Sequence, residues 1–361
     1  MKKLISIICI TGLLVSFLIG CASQSTAPSE ASNTNQSSTQ AQPAATAAPA
    51  GTLQSLIDPN DEYIAVCCLN NIEYFNSQKY GWEEAGKLFG VNTSWVGPMD
   101  DDVNAMVSAF DTAVAKKPAG IVVWGFDPSL QPSIDKAIAG GINVVTFVGD
   151  IDSSQRLTYI GSSQYDIGYN GALLYADSIG GSGKVGIMTL PGNPMFEERQ
   201  KGFEEAFAKY PGIEIVAYGD TKADTVTAIS AAKDIINKNP DIKGFVCTDS
   251  TGAIGASTAV QEMNKLGEVD ILGMDRNSDV LSMIEDGTIT ASIVQNDISM
   301  SYWSMVSLIT AKYYDIPLTS DNAAANVRVM PNNIFTSVNL VTKETVPYYL
   351  DANELYATNG F

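Results

Sequence analysis

The sequence predicts an α/β protein built of two doubly wound parallel-sheet lobes, and three observations carry that reading. From residue 61 short apolar runs alternate with longer stretches whose apolar residues recur every three or four positions, as parallel βαβ units require. The alternation restarts after Gly180-Gly181-Ser182-Gly183, so the two halves repeat one plan at similar length. The 361 residues also exceed the usual size of one domain, about 100 to 200 residues.

In the first half the apolar runs Tyr63–Leu69, Val91–Val96, Gly120–Trp124, Asn143–Val148 and Leu157–Ile160 are expected as strands. The segments Gln78–Phe89, Asp102–Ala115, Gln131–Ala139 and Ile167–Ile179 are expected as amphipathic helices. Asp100-Asp101-Asp102 reads as carboxylates capping the helix that begins near Val103, where the helix dipole favours them, with a calcium loop as the alternative. The second half repeats the pattern. Its strands are Lys184–Thr189, Ile213–Tyr218, Gly244–Thr248, Asp270–Gly273 and Ala291–Gln295, and its helices Glu197–Tyr210, Thr225–Lys238, Ala253–Leu266, Asp279–Glu285 and Met300–Tyr314. Doubly wound sheets bind ligands outside the carboxyl ends of their strands. Two such lobes facing each other make a cleft, and the loops after these strands are where binding chemistry is expected.

Composition removes whole classes of function. Lys and Arg number 21 against 40 Asp and Glu, a net charge of −19, which leaves no basic surface to neutralise phosphates and excludes nucleic acid as a partner. The absence of histidine excludes Ser-His-Asp and Cys-His catalysis and every His-ligated zinc site. No GxxxxGK[ST] phosphate loop is present, so an enzyme would have to rely on Asp249 and Asp275 as an acid–base pair. The chain therefore reads as a binding protein and not an enzyme, with no cofactor and no metal.

At the N-terminus Met1-Lys2-Lys3 precedes an apolar run from Leu4 to Ile19, too short for a comfortable membrane span, and reads as a signal peptide over residues 1–20. Leu18-Ile19-Gly20-Cys21 resembles the bacterial lipobox, which implies that Cys21 becomes the acylated mature N-terminus. Residues 22 to 58 are Ala, Ser, Thr, Gln, Asn and Pro with scarcely a large apolar side chain, and so cannot offset the entropy of ordering. As a flexible linker, 21–60 with its lipidated Cys21, this stretch has a reach of about 30–35 Å from the membrane. Cys67, Cys68 and Cys247 lie in apolar runs and read as buried small hydrophobes, not a disulfide framework.

Five stretches share an order and spacing that no one of them would make specific alone. They are Val144-Val145-Thr146-Phe147, Tyr159-Ile160-Gly161-Ser162, Pro191-Gly192-Asn193-Pro194 followed by Glu198-Arg199-Gln200-Lys201-Gly202-Phe203, Leu272-Gly273-Met274-Asp275, and Asp286 to Ala291 before Gln295. Together they resemble the type I periplasmic solute-binding proteins of sugar ABC transporters, close to the ribose- and galactose-binding members. The resemblance runs from about Asp61 to Tyr314. It implies two α/β lobes joined by a three-strand hinge, with the first lobe at 61–162 plus 296–333 and the second at 163–295 plus 334–361. The crossovers would lie near Ser162-Ser163, Gln295-Asn296 and Asn333 to Ser337, and the lobes would close on ligand by hinge motion.

The same resemblance implies the binding residues. Asn71, Tyr74 and Phe75 follow the first strand, where the family places a polar contact and an aromatic pair, with core packing the alternative for one of the two rings. Arg199 matches a family arginine whose guanidinium donates to adjacent hydroxyls. Asp275 and Gln295 fall on the family's ligand carboxylate and amide, both at carboxyl ends of expected strands. Asp249 stands where the ribose binder has asparagine. Trp124 and Phe126 follow the third strand, as a rim or as core. Val148 departs from the pattern, because the sugar-binding members place an aspartate there. Asp150 either substitutes for it, or the ligand offers fewer hydroxyls to this lobe. The implied function is a monomer on the extracytoplasmic face of the cell membrane, anchored through its lipid, handing a small sugar to an ABC permease. The alternative is a sensory protein that presents a sugar, nucleoside or other polar ligand to a membrane receptor kinase.

Overall fold

The computed structural model describes residues 53–361 except Asp101, Phe126, Asp315 and Ala323. The expected signal peptide, Cys21, the linker up to residue 52 and the rim position Phe126 lie outside the described residues.

After a short helix α1 (Leu53–Leu56) the chain runs through β1 (Glu62–Val66), α2 (Asn76–Phe89), β2 (Asn92–Val96), α3 (Val103–Ala115), β3 (Gly120–Trp124), α4 (Gln131–Ala139), β4 (Val144–Phe147) and β5 (Tyr159–Gly161). The second half comprises α5 (Gln164–Ser178), β6 (Ser182–Thr189), α6 (Pro194–Phe207), β7 (Gly212–Asp220), α7 (Thr225–Lys238), β8 (Ile242–Cys247), α8 (Ser250–Glu262), β9 (Asp270–Met274), α9 (Ser278–Glu285) and β10 (Ala291–Gln295). The chain ends with α10 (Asp297–Tyr313), β11 (Asn333–Phe335), β12 (Val338–Thr342) and α11 (Val346–Thr358).

Two six-stranded sheets result, ordered β11-β5-β4-β3-β1-β2 and β12-β10-β9-β8-β6-β7. In each, the five strands of one half adopt the doubly wound 2-1-3-4-5 order, with its switch point between the first and third strands. The first sheet is parallel throughout, whereas β12 runs antiparallel to β10, so the second departs from the all-parallel expectation at its edge. Helices cover both faces of each sheet, and strands buried on both sides need near-continuous apolar runs such as Ile121-Val122-Val123 and Val144-Val145.

Acidic caps set several helix starts. Asp102 accepts a hydrogen bond from the Ala105 amide at 3.0 Å, and Asp224 accepts from Thr227 at 2.8 Å. Capping is thus the role the structure gives Asp102. The three described cysteines are buried thiols.

The chain departs from the sequence reading at two further places. The folded part begins before residue 61: α1 precedes Ile57, which is buried among Tyr63, Ala65 and Met305, and the Asp58 amide donates to the Tyr313 hydroxyl at 3.0 Å. The strands β11 and β12 and the helix α11 carry no clear periodic pattern. β11 spans three residues at a sheet edge, and the exposed Tyr348 and Leu355 blur the apolar stripe of α11. By contrast α10 follows the second sheet in sequence and packs on α2 and across β3, β4 and β5 of the first, in line with the placing of 296–333 in the first lobe.

Candidate functional site

A cavity of about 690 Å³ lies at the carboxyl ends of β1, β3 and β4 on one side and of β6, β8, β9 and β10 on the other. Tyr74, Arg199, Asp249, Asp275 and Gln295 all line it. Three other expected ligand residues do not. Asn71 is exposed outside it, and Phe75 is wholly buried, packed edge-on against Trp124 at 5.2 Å and against Trp95. Phe75 is therefore the core member of the aromatic pair. Asp150 is held away from the cavity by Arg156, whose Nε and Nη2 each donate to a different carboxylate oxygen at 2.5 Å, and by Thr146 Oγ1 at 2.8 Å. Off the cavity lining and paired with Arg156, it is not placed to supply the acceptor missing at Val148.

Arg199 owes its place to two glycines. A Cβ on Gly168 in α5 would sit 1.9 Å from the Arg199 carbonyl, and one on Gly202 in α6 would sit 2.3 Å from the Tyr165 carbonyl. Their absence lets the helix backbones nearly touch, so that Gln164 reaches across. Arg199 Nε donates to Gln164 Oε1 at 2.7 Å, and Nη1 donates to the Thr248 carbonyl at 2.7 Å. The guanidinium is 3% exposed and stacks near the Phe196 ring at 5.4 Å. Burial lowers its pKa and nearby Asp275 opposes this, but an arginine stays charged at any physiological pH.

The carboxylates differ in use. Asp249 caps α8, accepting from the Gly252 amide at 2.8 Å, and burial raises its pKa. Asp275 ends β9 in the left-handed region at φ +71°, and burial pushes it up to about 6, against the pull of Arg199 and with the reinforcement of Asp249. Asp297, outside the cavity lining and 4% exposed, is pushed up to about 7 by burial and then by Asp275, with Ser77 Oγ 3.4 Å away. At pH 7 Asp275 is thus mostly ionised, an acceptor facing a buried guanidinium.

Gln295 is 4% exposed; its Nε2 lies 3.5 Å from the Tyr74 hydroxyl, and its buried Oε1 has no partner within the protein. Asn277 Oδ1, also on the cavity wall, is equally unpaired. Buried acceptors left this way cost about 1–3 kcal/mol each, which favours a donor arriving from outside. Tyr74 and Trp124, with ring centroids 6.4 Å apart, supply flat apolar surface, and Phe196 supplies more.

Residues the sequence reading passed over complete the wall. Arg276 lies over Tyr349 and Tyr356 at 5.0 and 5.4 Å and donates to Asn353 Oδ1 at 2.8 Å. Glu73, after β1, accepts from the Ser278 amide at 3.0 Å, from Ser278 Oγ at 2.6 Å and from Asn353 Nδ2 at 3.4 Å, tying the loop of the first sheet to the start of α9 and to α11. Adjacency to Asp275 was the available signal for Arg276. For Asn353 and Tyr356 the pattern of α11 offered none.

Comparison with known proteins places these features in company. The model of the periplasmic binding protein domain matches residues 63–312. The D-allose-binding periplasmic protein of Escherichia coli K12 is 26% identical over 262 residues, covering 70% of this chain and 84% of that protein. Among solved structures, an arabinose-binding protein from Geobacillus stearothermophilus superposes with a TM-score of 0.76 at 29% identity, over 81% of this chain and 99% of its own. A sugar-binding protein of a sugar ABC transporter from Bacillus halodurans does so at 0.77 and 28%, over 80% and 100%. These are solute-binding proteins of the type I two-lobed fold, named for capture and not for catalysis.

Proposed function

The chain belongs to the periplasmic binding protein domain family, and from that premise we propose that it is an extracytoplasmic, lipid-anchored solute-binding protein of an ABC importer, which captures a small sugar between its lobes and releases it unaltered. The observation that carries the reading is the convergence in one cavity of a buried guanidinium, the carboxylates of Asp249 and Asp275, a carboxamide with a free acceptor, and aromatic rings from both sides. A sugar presents C–H faces that suit Tyr74, Trp124 and Phe196, and hydroxyls that suit Arg199, Asp275 and Gln295. Relatives named for allose and arabinose support the class. Tyr74, Arg199, Asp249, Asp275 and Gln295 are the proposed contacts.

The lobes are proposed to close by hinge motion. The lobes are taken as 61–162 plus 296–333, with 53–60 and the rest of β11 (334–335) added, and 163–295 plus the chain after Thr336-Ser337. Supporting this, β11 pairs in the first sheet and β12 in the second, with Thr336-Ser337 between them. A ligand touching both lobes favours the closed state by its differential affinity for it. The anchor is assigned to Cys21 on the lipobox resemblance and the polar stretch that follows it; no helix among the described residues is long and apolar enough to cross a membrane.

Thermal-shift screening of the protein against monosaccharides, polyols and nucleosides tests the reading. A true ligand at 100 times its Kd adds about 2.7 kcal/mol of stability. Melting curves unmoved by every sugar and polyol would overturn it. Uptake that persists after deletion of the partner permease, with loss of ligand-dependent signalling in a strain lacking this protein, would favour the sensory role.

A further inference from the structure

Val148 and Asp275 occupy the same position in the two lobes. Each follows the strand that stands fourth in the doubly wound order of its sheet, β4 and β9. Each lies in the left-handed region, at φ +64° and +71°. The amide of Val148 donates to the Ile160 carbonyl at 3.0 Å and that of Asp275 to the Ile293 carbonyl at 2.9 Å. Each carbonyl is held by the residue just before that partner: Tyr159 Oη donates to Val148 O at 2.9 Å, and Ser292 Oγ to Asp275 O at 2.7 Å. Both residues line the cavity, and Val148, 2% exposed, also packs into the hydrophobic core beneath it. The backbone devices match, and the side chains are opposite in chemistry.

The conformation makes that difference informative. Aspartate visits the left-handed region with some ease, but a β-branched residue there is a genuine outlier. Keeping valine against that strain, where asparagine, aspartate or glycine would sit more comfortably, points to a use for its apolar surface. The surroundings agree. Asp150 is engaged by Arg156 and Thr146 and lies off the cavity lining, while Glu73 lines the cavity and is tied through Oε1 to Ser278 and Asn353. Ile72, Tyr74 and Trp124 share the first-lobe wall with Val148, with Glu73, Asn76 and Ser77 beside them, while Arg199, Asp249 and Asp275 stand on the other.

We propose that Val148 is a specificity-determining residue that selects a sugar with an apolar edge, of the deoxy or methyl-bearing class, seated with that edge against Val148 and its hydroxyls toward Asp275, Arg199 and Gln295. The inference rests on the sugar-binding reading above. A fully hydroxylated ligand would bury a hydroxyl against valine without a partner, and one such loss is worth roughly 5- to 150-fold in affinity.

Isothermal titration of the full chain with matched pairs (6-deoxy-D-galactose and D-galactose, L-rhamnose and L-mannose, 2-deoxy-D-ribose and D-ribose) tests it. At least one deoxy member should bind tenfold or more tighter than its parent. Val148→Asn, which suits the left-handed backbone, should narrow or reverse that preference, and Val148→Thr, which keeps the shape of valine, should move it the same way. Parents binding as tightly as their deoxy partners, or a preference unchanged in both variants, would overturn the role of Val148 while leaving the sugar reading intact. Binding of no member of any pair would overturn the sugar reading and this inference with it.

Discussion

Glu73→Ala severs a contact between elements 205 residues apart in the chain, and its size can be worked from the geometry. The Glu73 carboxylate accepts from the amide and the hydroxyl of Ser278, the first residue of α9, whose own N-cap residue Asn277 makes no side-chain cap. It stands where the helix dipole favours an anion, worth about 0.3–1 kcal/mol. Each hydrogen bond adds about 0.5–1.5 kcal/mol, taken at the low end because the contact is solvated. Together they are worth about 1–2 kcal/mol, a factor of roughly 5–30 in the balance between closed and open lobes. On the proposed lobe division and hinge closure, Ser278 would move with the second lobe and Glu73 with the first, so the contact would belong to the closed state. In the variant the ligand Kd should rise by that factor, and small-angle scattering of the ligand-free protein should show a larger radius of gyration. Glu73→Gln, which keeps an acceptor but loses the charge, should fall between. A Kd within twofold of the native value together with an unchanged radius would refute the reasoning.

Other perturbations follow from the site. Arg199→Met leaves Gln164 Oε1 and the Thr248 carbonyl without their buried donors at about 1–3 kcal/mol each, so denaturant midpoints should drop and calorimetric affinity should fall by more than tenfold. Gly202→Ala drives a methyl to 2.3 Å from the Tyr165 carbonyl and should destabilise the fold by about 1–3 kcal/mol or more in urea unfolding. The pH response has a definite sign. Asp275 and Asp297 keep their protons up to about pH 6 and 7 in the folded chain, whereas the unfolded chain releases them near 4. The contribution of these two groups to stability therefore falls as pH rises from about 4 to 7 and is constant above. Ligand binding should run the other way, weakening below about pH 6 as Asp275 loses its charge, and Asp275→Asn should flatten the binding profile over that range. Cys21→Ser should move the protein from the membrane pellet to the soluble fraction on cell fractionation.

Much of this was legible in the chain itself. Alternating apolar runs, amphipathic periods, capping aspartates and the restart after Gly183 are local signals, and the strands Gly120–Trp124 and Ala291–Gln295 fall where periodicity put them. That Tyr74, Arg199, Asp249, Asp275 and Gln295 line one cavity was findable because doubly wound sheets gather strand ends at one place and because their motifs resemble a family. Net charge and the lack of histidine argued against other chemistries from composition alone. What depends on distant partners was not legible. Asp150 is one of many carboxylates until Arg156 closes both its oxygens, and Phe75 and Tyr74 are neighbours whose fates differ because one ring meets Trp95 in the core and the other faces the cavity. The tie between Glu73 and Ser278, the docking of α11 beside Arg276, and the shared backbone turn of Val148 and Asp275 all join segments far apart in sequence. Periodicity reports which face of an element is apolar, and only packing decides which other element that face, or its polar edge, will meet.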